Sequence, residues 1–240
     1  MKNSKNIPSY SGTLRSHFLS VPSVIYECSG IVVFGRRIKS LVFSTDVAII
    51  KNINTDAVIA VYPFTPQPKI SGAIIDVSDV PVFVGVGGGI TSGIRSLQLA
   101  IEAEHQGAFG VVVNAPIPGD VITEIKKHVD IPVIATVVSI NQNVEERLNA
   151  GADILNVSAA AETPATVRAI RKRFPEVPII ATGGPSDDTI RATIEAGANA
   201  ITYTPPTNGE LFAQTMQKYR TLLNENQIKD KQLNMSCPME

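Results

Sequence analysis

Two glycine-rich segments of this chain have the composition of anion cradles. One reads Gly85-Val86-Gly87-Gly88-Gly89-Ile90-Thr91-Ser92-Gly93-Ile94-Arg95, the other Thr182-Gly183-Gly184-Pro185-Ser186. Consecutive glycines just ahead of a helix let backbone N–H groups face a phosphate or carboxylate, and the helix dipole favours its charge. Arg95, one turn into its helix, could add a charge-assisted bond. The competing reading is that the glycines only let the loop pass close to a strand. The first run is not a standard P-loop, because it lacks the Lys-Ser/Thr ending. Among the carboxylates Asp46, in Val42-Phe43-Ser44-Thr45-Asp46, is the candidate general acid/base; its other reading is a cap for a helix beginning at Val47. Asn114 and Asn156 are candidates for positioning a carbonyl or hydroxyl, and Thr136, Ser158 and Thr204 extend a neutral hydrogen-bonding set.

What must position these groups is an internal repeat. Three apolar runs open alike, at Asp79-Val80-Pro81, Asp130-Ile131-Pro132 and Glu176-Val177-Pro178, with proline where a strand tolerates a missing N–H. Between them three others open with Gly-Ala, at Gly107, Gly151 and Gly197, where glycine ends the preceding helix. The segments between read as helices: 68–78 with Pro68 at its start, 93–106 capped by Thr91 or Ser92, 118–128, 141–150, 164–174 capped by Thr163, 187–196 after Ser186, and 209–224. Two further apolar runs, Ser40–Thr45 and Ala57–Tyr62, complete eight strands in βα alternation. Continuously apolar strands are covered on both faces, and eight such units predict a single α/β (β/α)8 barrel. Residues 24–39 read as a hairpin plugging its N-terminal end. The expected organisation is an arm (1–29), the barrel (30–225) and a disordered polar tail (226–240).

A barrel of this kind does its chemistry at the C-terminal ends of its strands. His105 and His128 end helices on the opposite face, and His17 lies in the arm. No lysine falls within or at the end of a strand, which excludes a Schiff-base mechanism. Asp56 and Asp153 start strands, at the wrong end. Cys28 in the hairpin and Cys237 in the tail are not credible nucleophiles, and two cysteines are too few for a disulfide framework. No cluster has metal-ligand spacing. Charged residues make up 18%, less than the usual quarter, so much of the chain is buried in a core or an oligomer interface. A net charge of −1 argues against nucleic acid and anionic membranes as partners. No apolar run suits a membrane span, so a cytoplasmic protein is expected.

The stretch Pro178-Ile179-Ile180-Ala181-Thr182-Gly183-Gly184-Pro185-Ser186, followed by Ala196-Gly197-Ala198-Asn199-Ala200-Ile201, resembles the last two strands of the phosphate-binding aldolase-type barrels. That superfamily includes the keto-deoxy-phosphogluconate aldolases, the phosphosugar epimerases and the FMN- and IMP-dehydrogenase-type barrels; the layout of the middle strands is similar to nitronate monooxygenases. In that superfamily a glycine-serine-type turn and a short extra helix after the last strand complete a phosphate cup, and here Gly183, Gly184 and Ser186 would hold the anionic end. The chain departs from the pattern at Thr202-Tyr203-Thr204-Pro205-Pro206-Thr207, where two prolines remove N–H donors. The aldolase lysine, epimerase metal ligands, dehydrogenase cysteine loop and monooxygenase histidine have no counterpart at the strand ends.

These residues predict an enzyme acting on a small phosphorylated or polyhydroxy metabolite, of lyase or isomerase type. Asp46 would act as acid/base, with Asn114 and Asn156 as orienting groups. Gly87, Gly88, Gly89, Thr91, Arg95, Thr136, Ser158, Thr182, Gly183, Gly184, Ser186 and Thr204 would bind the anionic substrate. The alternatives are an FMN-dependent oxidoreductase, a hydrolase of a phosphorylated molecule with Mg2+ at Asp46, and a non-catalytic ligand-binding barrel. Apolar positions beyond one stripe on 68–78 and 209–224 predict a homo-oligomer.

Overall fold

The computed structural model describes residues 18–235 with Pro8, Tyr10 and Gly12, and beyond Glu225 the backbone alone. After a 3-10 turn at Ser23–Glu27, strands β1 (Ile31–Val33) and β2 (Arg36–Ile38) pair antiparallel. The hairpin turns on Phe34 and Gly35, both at positive φ (45° and 77°), the two-residue geometry whose twist suits a hairpin. Then follow β3 (Ser40–Phe43), α1 (Val47–Lys51), β4 (Ala57–Ala60), α2 (Pro68–Val77), β5 (Val82–Gly87) and α3 (Ile94–His105). The series continues with β6 (Gly110–Val113), α4 (Gly119–His128), β7 (Val133–Val137), α5 (Val144–Asn149), β8 (Ile154–Val157) and α6 (Thr163–Arg173). It ends with β9 (Ile179–Thr182), α7 (Asp187–Glu195), β10 (Ala200–Tyr203) and α8 (Asn208–Met235). Strands β3 to β10 are parallel and close in the order β10-β3-β4-β5-β6-β7-β8-β9. The protein is a (β/α)8 barrel.

Closure divides each strand into inward and outward residues, alternating by two. Leu41, Ala57, Ile59, Phe83, Val112, Ile134, Ile154, Ile180 and Ala200 form one buried cluster with Ile31, Val33 and Ile38 of the hairpin. The hairpin is therefore the plug that the sequence suggests. It spares the N-terminal end of the barrel from exposing its apolar layer. The carboxylates at that end work on the backbone: Asp56 Oδ2 accepts from the N–H groups of Lys39 and Ser40 (2.9 and 3.0 Å), and Asp153 Oδ2 from that of Val133 (2.8 Å). Asn199 Oδ1 does the same for Ile179 (2.9 Å). In all three cases the residue just before one strand satisfies the first N–H of the strand before it, which removes Asp56 and Asp153 from any chemistry at the mouth.

Several expectations are corrected. Helix α3 is not capped by Thr91 or Ser92: its N-cap is Gly93, at φ 62°, and Thr91 is buried with its carbonyl accepting from Gly88 and Ser96. Thr163 begins α6, its hydroxyl accepting from the Ala159 N–H, and α5 starts only at Val144, capped by Asn143. Contacts divide the chain into two compact units, 1–204 and 205–240. Helix α8 runs to Met235. His17 and Cys237 lie outside the described residues.

This core can be tested at two of its buried side chains. Phe83 is 1% exposed and packs edge-on against Phe109. Phe83→Ala should cost about 3–5 kcal/mol of stability in urea denaturation. Cys28 is 1% exposed, and burial pushes its thiol up to about 11. Folding favours the neutral thiol, so its contribution is whole below the unfolded value of 9.0 and is lost as pH rises through about 11. Stability measured from pH 8 upward should therefore fall more steeply in the native sequence than in Cys28→Ala, and a thiol reagent at pH 8 should label Cys28 only on unfolding.

Candidate active site

The inward alternation that places apolar residues in the barrel's middle continues one step further to polar ones at its C-terminal end. Beyond Val112, Ile134, Ile154, Ile180 and Ala200 come Asn114, Thr136, Asn156, Thr182 and Thr202. Register brings them level: Thr136 pairs with Asn156 across β7 and β8, and Thr182 with Thr202 across β9 and β10. Thr136 Oγ1 donates to Asn114 Oδ1 (3.0 Å) and accepts from Asn156 Nδ2 (3.3 Å), a relay spanning three strands. Thr182 Oγ1 donates to Ser158 Oγ (3.2 Å). Thr202 is 6% exposed, and its Oγ1 is buried with no hydrogen-bond partner. A buried hydroxyl without a partner is costly, so a group that supplies one gains accordingly.

The structure thus unites Asn114, Thr136, Asn156, Ser158 and Thr182 of the expected set and adds Thr202. It treats the glycine loops differently. The Gly88 N–H donates to Thr91 O and the Gly89 N–H to Pro116 O, each at 2.8 Å. A Cβ on Gly88, at φ 126°, would stand 2.4 Å from Asn114 O. That loop needs glycine for close approach, and these two amides are not available to an anion. Gly87 and Thr91 do line a mouth cleft with Gly88, Gly89 and Asn114, whereas Arg95 lies in a neighbouring cleft with Glu102.

The second loop is committed in part. The Gly183 N–H donates to Thr202 O (3.2 Å), and a Cβ there would meet Ile201 at 2.7 Å. Ser186 and Thr189 form a reciprocal capping box at α7, whose first turn carries Asp187 and Asp188. Those carboxylates occupy the positive end of the helix and repel an incoming phosphate. Thr204 is exposed at the end of β10. Asp46 takes the capping role: its Oδ1 accepts from Ala48 and Ile49 (2.9 and 3.2 Å) at the start of α1, half-buried at the rim.

Charge is what the mouth lacks. None of the inward positions from Leu41 to Thr204 carries Asp, Glu, Lys, Arg or His. His105 and His128 end α3 and α4 on the far face, as their sequence positions imply. Among the described residues no three of His, Cys, Asp and Glu gather to hold a metal, and Asp46 alone, engaged as a cap, is not a Mg2+ ligand set. FMN fits poorly, since its phosphate would face the engaged Gly183 and Ser186 amides and the two aspartates of the first turn of α7. The residues that sequence reasoning missed are apolar: Phe64 and Ile90, 75% and 96% exposed at the mouth. The signal was the Tyr62-Pro63-Phe64-Thr65-Pro66 loop, where an aromatic sits outside any strand or helix.

No family model and no curated protein matches the sequence. Solved structures do resemble it. A 2,3-dimethylmalate lyase, a PEP mutase/isocitrate lyase superfamily member, superposes with a TM-score of 0.60 at 12% identity, over 85% of this chain and 83% of its own. A phosphonopyruvate hydrolase gives 0.59 at 14% identity, over 86% and 89%. The 4-hydroxy-tetrahydrodipicolinate synthase of Methylacidiphilum fumariolicum SolV gives 0.56 at 13%, over 69% and 67%. What these structures share with this chain is the (β/α)8 barrel fold. At these identities the likeness is one of fold, and no helix among the described residues is long and apolar enough to cross a membrane.

Thr202→Val keeps the shape and removes the unpartnered hydroxyl. It should raise stability by about 1 kcal/mol in denaturant titration, whereas Thr136→Val, which breaks the relay, should lower it by a similar amount.

Proposed function

We propose that the protein is an enzyme of lyase or isomerase type acting on a small oxygen-rich metabolite bound at the C-terminal mouth of the barrel. The observation that carries the reading is the Asn114–Thr136–Asn156 relay, whose neutral groups hold one another in place at the C-terminal ends of three neighbouring strands. Preorganised polar groups of this kind bind a carbonyl or hydroxyl without reorganising during reaction. The position agrees with where barrels of this fold do chemistry, and the neighbours of the same fold are a lyase, a hydrolase and a synthase.

In this reading Asn114 and Asn156 orient the substrate oxygen and stabilise charge that develops on it. Asp46, held by its two cap hydrogen bonds, moves a proton at the adjacent carbon. A second reading, a ligand-binding barrel without turnover, is favoured by the lack of any titratable side chain at the inward positions. The phosphate-directed readings, including hydrolysis of a phosphorylated molecule, draw less support because the Gly88, Gly89 and Gly183 amides are engaged and Asp187 and Asp188 open α7.

Asp46→Asn separates the two readings without losing the fold, because asparagine caps a helix as well as aspartate does. A panel of 2-oxo acids and hydroxyketones in D2O, followed by NMR, reports proton abstraction whatever the later steps of the reaction. The native protein should incorporate deuterium at the carbon beside the carbonyl of one class, and Asp46→Asn should be about a hundredfold slower or worse. Binding without exchange by the native protein would decide for the non-catalytic barrel.

A further inference from the structure

The cleft at the mouth has a volume of about 410 Å³, the size of a small-molecule site. Its walls include Val61, Pro63, Phe64, Pro66 and Ile90, and no residue lining it is charged. Several of its polar groups are engaged. Tyr62 Oη accepts from the Gln67 N–H (2.7 Å), and the Gly88 and Gly89 amides bond to carbonyls. Asn114 differs: because its Oδ1 accepts from Thr136, its Nδ2 is the side that can donate to a ligand. The cleft therefore joins an apolar wall to one amide donor, which belongs to the same relay as Asn156.

Phe64 and Ile90 are large apolar side chains held in water, a cost that a ligand lying against them removes. A charged group in the same place would lose hydration and find no counter-charge. Arg95 and Glu102, of opposite sign, line the neighbouring cleft.

We propose that the substrate is an uncharged hydroxy- or oxo-compound with an aromatic or branched aliphatic substituent. The substituent packs between Phe64 and Ile90, and the oxygen-bearing end meets Asn114 and the relay. This rests on the reading that substrate binds at the mouth, and it narrows the ligand to one without phosphate.

The test uses 1-hydroxy-3-phenylpropan-2-one as an uncharged probe, with phenyl phosphate and inorganic phosphate as charged ones, each titrated against the full chain by calorimetry and NMR. The hydroxyketone should bind, with contacts from its ring to the protein, and its affinity should not depend on salt. Phosphate should not displace it. Phe64→Ala and Asn114→Ala should each weaken it about tenfold; Phe64 is exposed, so its removal spares the fold. Tighter binding of phenyl phosphate, displacement by phosphate, or an unchanged affinity in Phe64→Ala would overturn the proposal. Failure of the hydroxyketone alongside Asp46-dependent exchange on a phosphorylated substrate would sink this inference and keep the enzymatic reading. Phe64-dependent binding without exchange on any substrate would do the reverse.

Discussion

The rest of the structure depends on the alternation of side chains along strands that have closed into a barrel. Once β10 pairs with β3 there is no free edge, and every second residue must point at the axis. The same parity that stacks Ile59 and Phe83 over the hairpin's Ile31, Val33 and Ile38 delivers Asn114, Thr136, Asn156, Thr182 and Thr202 to the opposite end. A slip of one residue would exchange the inward and outward sets, exposing the apolar layer and burying mismatched groups. The core thus enforces the position of the candidate site, with no separate scaffold needed for it.

Backbone accounting explains why the glycine loops are not the anion sites that their composition suggests. A strand end near an interior needs its N–H groups satisfied, and here nearby carbonyls do it: Thr91 for Gly88, Pro116 for Gly89 and Thr202 for Gly183. Glycine lets those segments approach closely enough to make the bonds, as the 2.4 Å and 2.7 Å positions that a Cβ would occupy demonstrate. At the far end Asp56, Asp153 and Asn199 meet the same requirement with side chains. Polar residues that look like chemistry in the sequence are, in much of this protein, completing the barrel's hydrogen bonds.

The result is a mouth lined by neutral groups. Hydroxyl and amide groups bind by geometry more than by field, so the fit depends on how well the relay is held. Asn114, Thr136 and Asn156 hold one another, and Asp46 stands at the rim, fixed by the start of α1.

The sequence by itself determined the barrel. Its eight apolar runs, the prolines at their starts, the Gly-Ala breaks and the hairpin at Phe34-Gly35 all act locally, and each survives as an element of the fold. It also determined which histidines and acidic residues lie at the wrong end, because strand direction follows from the alternation of elements. Only the tertiary structure decided what the glycine loops do, since that turns on which carbonyls lie within 3.2 Å of their amides, contacts between residues up to 27 positions apart. It also decided that Thr202 is left without a partner and that Phe64 and Ile90 frame a cleft. Those facts depend on pairings across strands and loops, and composition and spacing along one chain carry no record of them.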